Sequence, residues 1–134
     1  MENCPIALVV SVDRQVRQLI AVSLGELGCA TCDAATQEEG LTYAARMSLD
    51  VVVVDVCQPD AVGSDLIREL RVSQPNLKVL YLIGPAHSVF RSGIPKAHDS
   101  YLRKPFRLDE LCDIVSSWLE DGVMLPGVTG VAMN

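Results

Sequence analysis

Four consecutive valines, Val51 to Val54, lie between Asp50 and Asp55. A strand with one face in water alternates apolar and polar residues, whereas an unbroken run of β-branched residues is typical of a strand buried on both faces. Such strands occur in parallel sheets that carry helices on each side. Ligands of open parallel sheets bind at the carboxyl ends of the strands, so Asp55 is the first candidate functional residue.

The rest of the chain alternates short apolar runs with apolar stripes at helical spacing, which indicates strands alternating with helices. The predicted strands cover 6–10, 29–33, 50–56, 79–83 and 101–102, and the predicted helices cover about 16–27, 36–47, 66–73 and 108–119, with a short or distorted helix within 84–100. This order predicts a flavodoxin-like, doubly wound α/β fold. Its five-stranded parallel sheet is expected in the order 2-1-3-4-5, with helices on both faces.

Several local signals set the expected ends of these elements. Gly28 is expected to stop the first helix, whose polar face is expected to include Arg17. The segment 58–63 contains proline and glycine and is expected to be a loop. The expected caps of the second and third helices are Thr36 and either Ser64 or Asp65.

The composition fits one domain, expected over 1–121, with 122–134 as a tail or linker. The net charge of −6 argues against direct binding of nucleic acid through a basic surface. No apolar run is long enough to span a membrane, and the N-terminus lacks the basic start of a signal peptide. Five cysteines without such a signal predict a reduced, cytoplasmic protein in which the Cys29 and Cys32 pair is structural.

Two segments carry a family resemblance that extends from about Ile6 to Leu119. Residues 50–63 combine the buried strand and its terminal aspartate with a proline and a glycine at fixed offsets, and Tyr101 to Phe106 contains an aromatic followed by Lys-Pro-Phe. In this the chain resembles the receiver domain of bacterial two-component response regulators, of the chemotaxis-regulator type. The resemblance implies a signalling domain rather than an enzyme, one that accepts a phosphoryl group from a histidine kinase.

The resemblance also implies roles for the residues that match the family's site. Asp55 matches the phosphoacceptor, Lys104 the lysine that contacts the phosphoryl group, and Tyr101 the switch aromatic. The backbone carbonyl of Cys57 matches a ligand of Mg²⁺, which prefers oxygen donors in octahedral geometry. The Lys104–Pro105 bond is often cis in this family.

The metal-binding positions depart from the family pattern. Ser11 and Val12 stand where the family has an acidic pair, and Asp13 follows one residue later, where a further acid is common. The remaining metal candidates are Asp55, the Cys57 carbonyl and Asp13. A site this poor in carboxylates is expected to bind Mg²⁺ weakly or not at all.

A further departure concerns the switch. Ile83 stands where the family has a hydroxyl residue that hydrogen-bonds the phosphoryl group, and an isoleucine cannot do so. With the acidic pair gone, a direct ion pair between Lys104 and Asp55 is expected. These departures predict a degenerate receiver, or pseudo-receiver.

Three functions remain open on the sequence. The first is a protein-interaction module that works without Mg²⁺-dependent phosphorylation of Asp55. The second is a phosphorylatable receiver that uses Asp13 in an unusual metal shell. The third, an unrelated flavodoxin-like enzyme, would need a glycine-rich phosphate loop after the first strand, and 11–14 contains no glycine. The resemblance implies protein partners at the predicted fourth helix, the fifth strand and the last helix, with a homodimer through that face as one option.

Overall fold

The computed structural model describes residues 4–55, 62–84 and 99–122. The strands are β1 Ile6–Val10, β2 Ala30–Ala34, β3 Val51–Asp55, β4 Lys78–Ile83 and β5 Asp99–Arg103, and the helices are α1 Arg14–Glu26, α2 Gln37–Arg46, α3 Val62–Ser73 and α4 Leu108–Gly122. All neighbouring strands pair in parallel, in the order β2-β1-β3-β4-β5. The predicted fold class and strand order are therefore confirmed. Cys57, the predicted fourth helix and the segment from 123 onward lie outside the described residues.

The valine strand β3 is buried on both faces, as its sequence predicts. None of its four valines is more than 1% exposed. Val52 and Val54 pack with a cluster that includes Leu66 and Leu70 of α3, whereas Val51 and Val53 belong to the cluster on the opposite face. That second cluster is completed by residues of α1 and α4, namely Ile20, Leu24, Leu111 and Val115. The sheet thus separates two apolar layers and holds β3 rigidly between them.

Two predicted helix ends are confirmed. Gly28 has a positive φ of 98° directly after the α1 cap at Leu27, a conformation that glycine adopts without strain. Thr36 accepts the Glu39 N–H at 3.2 Å and caps α2. The Glu39 carboxylate accepts the N–H of Ala35 at 2.7 Å, so both side chains satisfy backbone donors at this end.

The start of α3 was predicted wrongly. The helix begins at Val62, so the expected 58–63 loop ends earlier and neither Ser64 nor Asp65 is the cap. The reason is that the apolar stripe at Leu66 and Ile67 marks only the buried face of a helix and does not define where the helix begins.

Other element ends differ by a few residues from the predicted ones. Strand β2 is shifted by one residue, and β5 is longer than the predicted 101–102. Helix α4 includes Gly122, one residue beyond the expected end of the domain. None of the helices in the described part of the chain is long and apolar enough to cross a membrane.

Candidate functional site

The parallel sheet brings three candidate residues to one edge. Ser11 follows β1, Asp55 ends β3, and Lys104 follows β5. Because all five strands point the same way, their carboxyl ends share this edge, where ligand sites of open α/β sheets lie. The Lys104 N–H donates to the Ile83 carbonyl at 2.8 Å, which fixes the lysine backbone against the end of β4.

Within the described part of the chain, Lys104 and Ser11 both contact the Asp55 carboxylate. Lys104 Nζ lies 2.9 Å from Asp55 Oδ2, and the Ser11 hydroxyl lies 3.0 Å from the same oxygen. The Asp55 side chain is 3% exposed and that of Lys104 is 29% exposed. The predicted ion pair is therefore confirmed, and the Lys104–Pro105 bond is cis, as the resemblance implies. The carboxylate faces a hydroxyl and an ammonium group in a site nearly closed to water.

Ser11 has a defined hydrogen-bonding direction. Its Oγ accepts the Asp13 N–H at 3.1 Å, and an amide can only donate. The single hydroxyl proton of Ser11 is therefore available for Asp55. Ser11 is 2% exposed, so its polar atoms depend on these partners rather than on water.

Asp13, the metal candidate that follows β1, uses its carboxylate to cap a helix. Oδ1 of Asp13 accepts the N–H groups of Gln15 at 2.9 Å and Val16 at 3.2 Å, which makes Asp13 the N-cap of α1. Val12 is 59% exposed and offers no oxygen on its side chain. The side chains present at 11–13 therefore do not fit the oxygen shell that Mg²⁺ requires, and Cys57 lies outside the described residues.

The two switch positions have opposite environments. Ile83 is 1% exposed and packs in the apolar cluster with Val54 and Ile67. Tyr101, on β5, is 41% exposed. Ile83 therefore presents no hydrogen-bonding side chain beside Asp55, while the ring of Tyr101 is accessible at the surface.

Arg17 was missed as a member of the site. The sequence places it on the polar face of α1, but its side chain is only 15% exposed. Its Nε lies 2.9 Å from Asp33 Oδ2, and its Nη1 donates to the Ser11 carbonyl at 2.9 Å. Helical periodicity could not reveal this contact, because it depends on how β2 lies beside β1.

The described cysteines are all free thiols. Burial raises the pKa of Cys29 to about 11, with smaller contributions from Cys4, Asp50 and Cys112. Cys32 donates to the Ala7 carbonyl at 3.7 Å, and burial raises its pKa as well. Thiols that resist ionisation are poor nucleophiles, which supports the structural interpretation of the Cys29 and Cys32 pair.

A parallel sheet in this order, with an aspartate at the end of its central strand and a lysine after its last, defines a receiver-like signalling fold. The chain matches the family model of the response regulator receiver domain over residues 7–116. It therefore belongs to the response regulator receiver family. Domains of this family act in two-component signalling, together with histidine kinases and other proteins.

Similar proteins agree with this assignment. The chain is 34% identical over 101 residues to the sensor kinase CckA of Brucella abortus. The aligned region covers 73% of this chain and 11% of that protein. It is 36% identical over 105 residues to the response regulator MprA of Mycobacterium sp. (strain KMS). That aligned region covers 78% of this chain and 46% of that protein. The chain thus spans less than half the length of either relative.

Solved structures show the same fold over nearly their full length. A response regulator from Thermotoga maritima superposes with a TM-score of 0.72 at 30% identity, covering 87% of this chain and 98% of that one. The chemotaxis response regulator CheY4 of Vibrio cholerae superposes with a TM-score of 0.74 at 25% identity, covering 87% of this chain and all of that one.

Proposed function

We propose that this chain is a pseudo-receiver: a receiver domain that binds protein partners without Mg²⁺-dependent phosphorylation of its aspartate. One observation carries the proposal. The Ser11 hydroxyl, which replaces an acid of the family pattern, donates to the same Asp55 oxygen that pairs with Lys104. The carboxylate that would attack a phosphodonor is already held by a hydroxyl and a cation.

The charge balance of the site supports this proposal. In the family pattern, an acidic pair beside the phosphoacceptor creates an excess of negative charge that Mg²⁺ offsets. Here Ser11 and Val12 bring no charge, and Asp55 and Lys104 compensate each other at 2.9 Å. The site therefore does not need a divalent cation to be electrostatically balanced.

The switch position, Ile83, supports the proposal because it bears on how the domain would respond to a phosphoryl group. A phosphoryl group on Asp55 would find the apolar side chain of Ile83 where the family pattern has a hydroxyl. Unpaired phosphoryl oxygens in a largely buried site are costly. Even a phosphorylated Asp55 would thus lack the hydrogen bond that couples the acceptor to Tyr101.

We infer that the partners are proteins, either a histidine kinase or another signalling protein. The partner surface proposed from the family resemblance includes β5 and α4, and a homodimer through that face belongs to the same proposal. The accessible ring of Tyr101 lies on this surface. A cytoplasmic location, inferred from the free cysteines, and the absence of direct nucleic-acid contacts, inferred from the net charge of −6, complete the proposal.

The alternative is a receiver that is phosphorylated on Asp55 by a histidine kinase. Two observations favour it: Asp55 and Lys104 both stand at the positions that the resemblance assigns to the acceptor and the lysine, and the relatives are named as a response regulator and a sensor kinase. This alternative requires metal binding by Asp13, whose carboxylate caps α1.

Incubation with Mg²⁺ and acetyl phosphate, followed by intact-mass spectrometry, distinguishes the two functions. The pseudo-receiver is expected to show no phosphoryl adduct. The matched control is Asp55→Asn, which keeps the shape of the side chain and removes the nucleophile. A stoichiometric adduct in the natural sequence that is absent from Asp55→Asn would establish the alternative.

A further inference from the structure

Arg17 links the ends of two neighbouring strands. Its guanidinium lies 2.9 Å from the carboxylate of Asp33, on β2, and donates at 2.9 Å to the carbonyl of Ser11, directly after β1. A planar guanidinium holds two acceptors at fixed relative angles, which a lysine ammonium group cannot reproduce. Because the Arg17 side chain is 15% exposed, water competes little for these contacts.

The backbone of Ser11 is held from both sides by these neighbours. Its N–H donates to the Ala34 carbonyl at 3.1 Å, and its carbonyl accepts from Arg17. With both peptide groups fixed, the rotamer of Ser11 alone decides where its hydroxyl lies. The Asp13 N–H donates to Oγ, so the hydroxyl proton is left for Asp55.

We propose that Arg17 is a positioning residue of the Asp55 site. Anchored by Asp33, it holds the Ser11 backbone and thereby aims the Ser11 hydroxyl at the Asp55 carboxylate. The inference rests on the proposed function in one respect, since it takes the held carboxylate as the working state of the site.

The contacts form one continuous network across the sheet edge. It runs from Asp33 through Arg17 and Ser11 to Asp55 and Lys104. Its two ends differ in access to solvent, because the Asp33 side chain is 43% exposed while that of Asp55 is 3% exposed. Arg17 therefore connects the closed site to the surface beside β2.

The direct test is carbon-13 NMR of the Asp55 carboxyl carbon, whose chemical shift responds to the donors around it. Ser11→Ala removes the hydroxyl donor and defines the reference shift change. Arg17→Ala is expected to change the Asp55 signal in the same direction and to a comparable extent. In the Ser11→Ala background, Arg17→Ala is expected to add nothing, because its effect passes through Ser11.

Two further variants complete the experiment. Arg17→Lys keeps the charge but not the two-acceptor geometry, so it is expected to shift the Asp55 signal as well, and it supplies the comparison if Arg17→Ala does not fold. Arg107→Ala removes another arginine–aspartate pair, which is 77% and 64% exposed, and is expected to leave the Asp55 signal unchanged.

Two results would overturn the positioning role of Arg17. One is an Asp55 signal that stays at its original place while Arg17→Ala lowers the free energy of unfolding, since that describes a residue that only packs. The other is an equal shift in the Ser11→Ala background, since that describes a direct effect of charge on Asp55. Phosphorylation of Asp55 in the natural sequence would disprove the proposed pseudo-receiver function. The Asp55 chemical shifts of the unphosphorylated variants would still decide the role of Arg17.

Discussion

The chemistry of single residues in this protein is set by which polar groups lose water. Asp55 is nearly excluded from solvent. Its Oδ2 accepts hydrogen bonds from Ser11 and Lys104, which come from elements far apart in the sequence. A buried carboxylate without such donors would carry a large desolvation cost. Among the described residues, the donors to Asp55 are thus brought to it by the fold.

Lys104→Met is expected to lower the free energy of unfolding by about 1–3 kcal/mol. The change removes a cation 2.9 Å from a carboxylate that is 3% exposed. The value is below that of a fully buried pair, because Lys104 itself is partly exposed. Urea denaturation measures it. Adding Asp55→Asn to Lys104→Met should recover part of the loss, and a stability unchanged by Lys104→Met would contradict the importance of the pair.

Cys29 gives the protein a predicted sensitivity to alkaline pH. Its pKa is about 11 in the folded chain against 9.0 for a free thiol, chiefly because of burial. Above pH 9 the unfolded chain loses a proton that the folded chain keeps. This contribution to stability is therefore fully present below about pH 9 and is lost as the pH rises toward about 11. By about pH 10.5 the loss should be about 1–2 kcal/mol.

The measurement is urea denaturation at pH 8 and at about pH 10.5, a range in which unfolded thiols ionise. Cys29→Ala should lose less stability between these two pH values than the natural sequence does. Cys4→Ala changes an exposed thiol that contributes less than burial to the pKa of Cys29, so it should keep most of the original pH dependence and serves as the control. Equal pH dependence in the natural sequence and Cys29→Ala would rule out Cys29 as the source.

At the scale of elements, two glycines in and after α1 have opposite requirements. Gly25 lies inside the helix with nothing within 4 Å of the place that an added Cβ would occupy, whereas Gly28 follows the helix with φ of 98°. Gly25→Ala is expected to stabilise by about 1 kcal/mol through helix propensity. Gly28→Ala is expected to destabilise by about 1–2 kcal/mol, because a Cβ disfavours positive φ.

Thermal unfolding of the two variants checks this pair of expectations. Each variant adds one methyl group at a position with open space around it, so each serves as the control for the other. Opposite shifts of Tm are expected. Shifts in the same direction would show that the backbone conformation at 28 does not govern the end of α1.

The elements themselves could be predicted from the sequence, because hydrophobic periodicity is a local property. The four valines of β3 and the stop at Gly28 illustrate this. Contacts between distant elements could not be predicted in the same way. The Gln74 side chain, which directly follows the helix predicted over 66–73, accepts the Leu49 N–H at 2.7 Å and donates to the Ala44 carbonyl at 3.3 Å.

Some residues of the candidate site could likewise be predicted from the sequence, and others could not. The resemblance supplied Asp55 and Lys104, and the loss of acids at 11–12 led to the expected ion pair between them, which the structure contains. It did not supply Arg17, since that contact depends on the spacing between α1 and β2. Sequence patterns thus located the charged pair, while the support behind Ser11 required the packed structure.

For the whole molecule, the fold and the site are separable. The two apolar layers that stabilise the sheet contain neither Ser11 nor Lys104, so the site residues can vary while the receiver fold persists. The chain also spans less than half of the response regulator MprA, at 46% of its length.

The charge balance around Asp55 predicts that two substitutions would make the domain bind Mg²⁺. Ser11→Asp combined with Val12→Asp recreates the family's acidic pair beside Asp55. Without metal, the added like charges should lower stability, because Ser11 is 2% exposed and Asp55 lies 3.0 Å from its hydroxyl. With Mg²⁺ the double variant should recover stability, since a ligand that binds only the folded state shifts unfolding by mass action. For a Kd of about 1 mM, about 10 mM Mg²⁺ would contribute about 1.4 kcal/mol.

Thermal unfolding with MgCl₂, and with NaCl at equal ionic strength, separates this specific effect from screening. The double variant should show a Tm that rises with Mg²⁺, whereas the natural sequence should respond equally to both salts. Ser11→Asn combined with Val12→Asn has side chains of matching size without the charge and should resemble the natural sequence. A Mg²⁺-specific rise of Tm in the natural sequence would instead mean that Asp55 already has a metal partner. The ion pair between Lys104 and Asp55 would then have to open when the metal binds. The paired Asp55 carboxylate would be the metal-free state of a working phosphoacceptor.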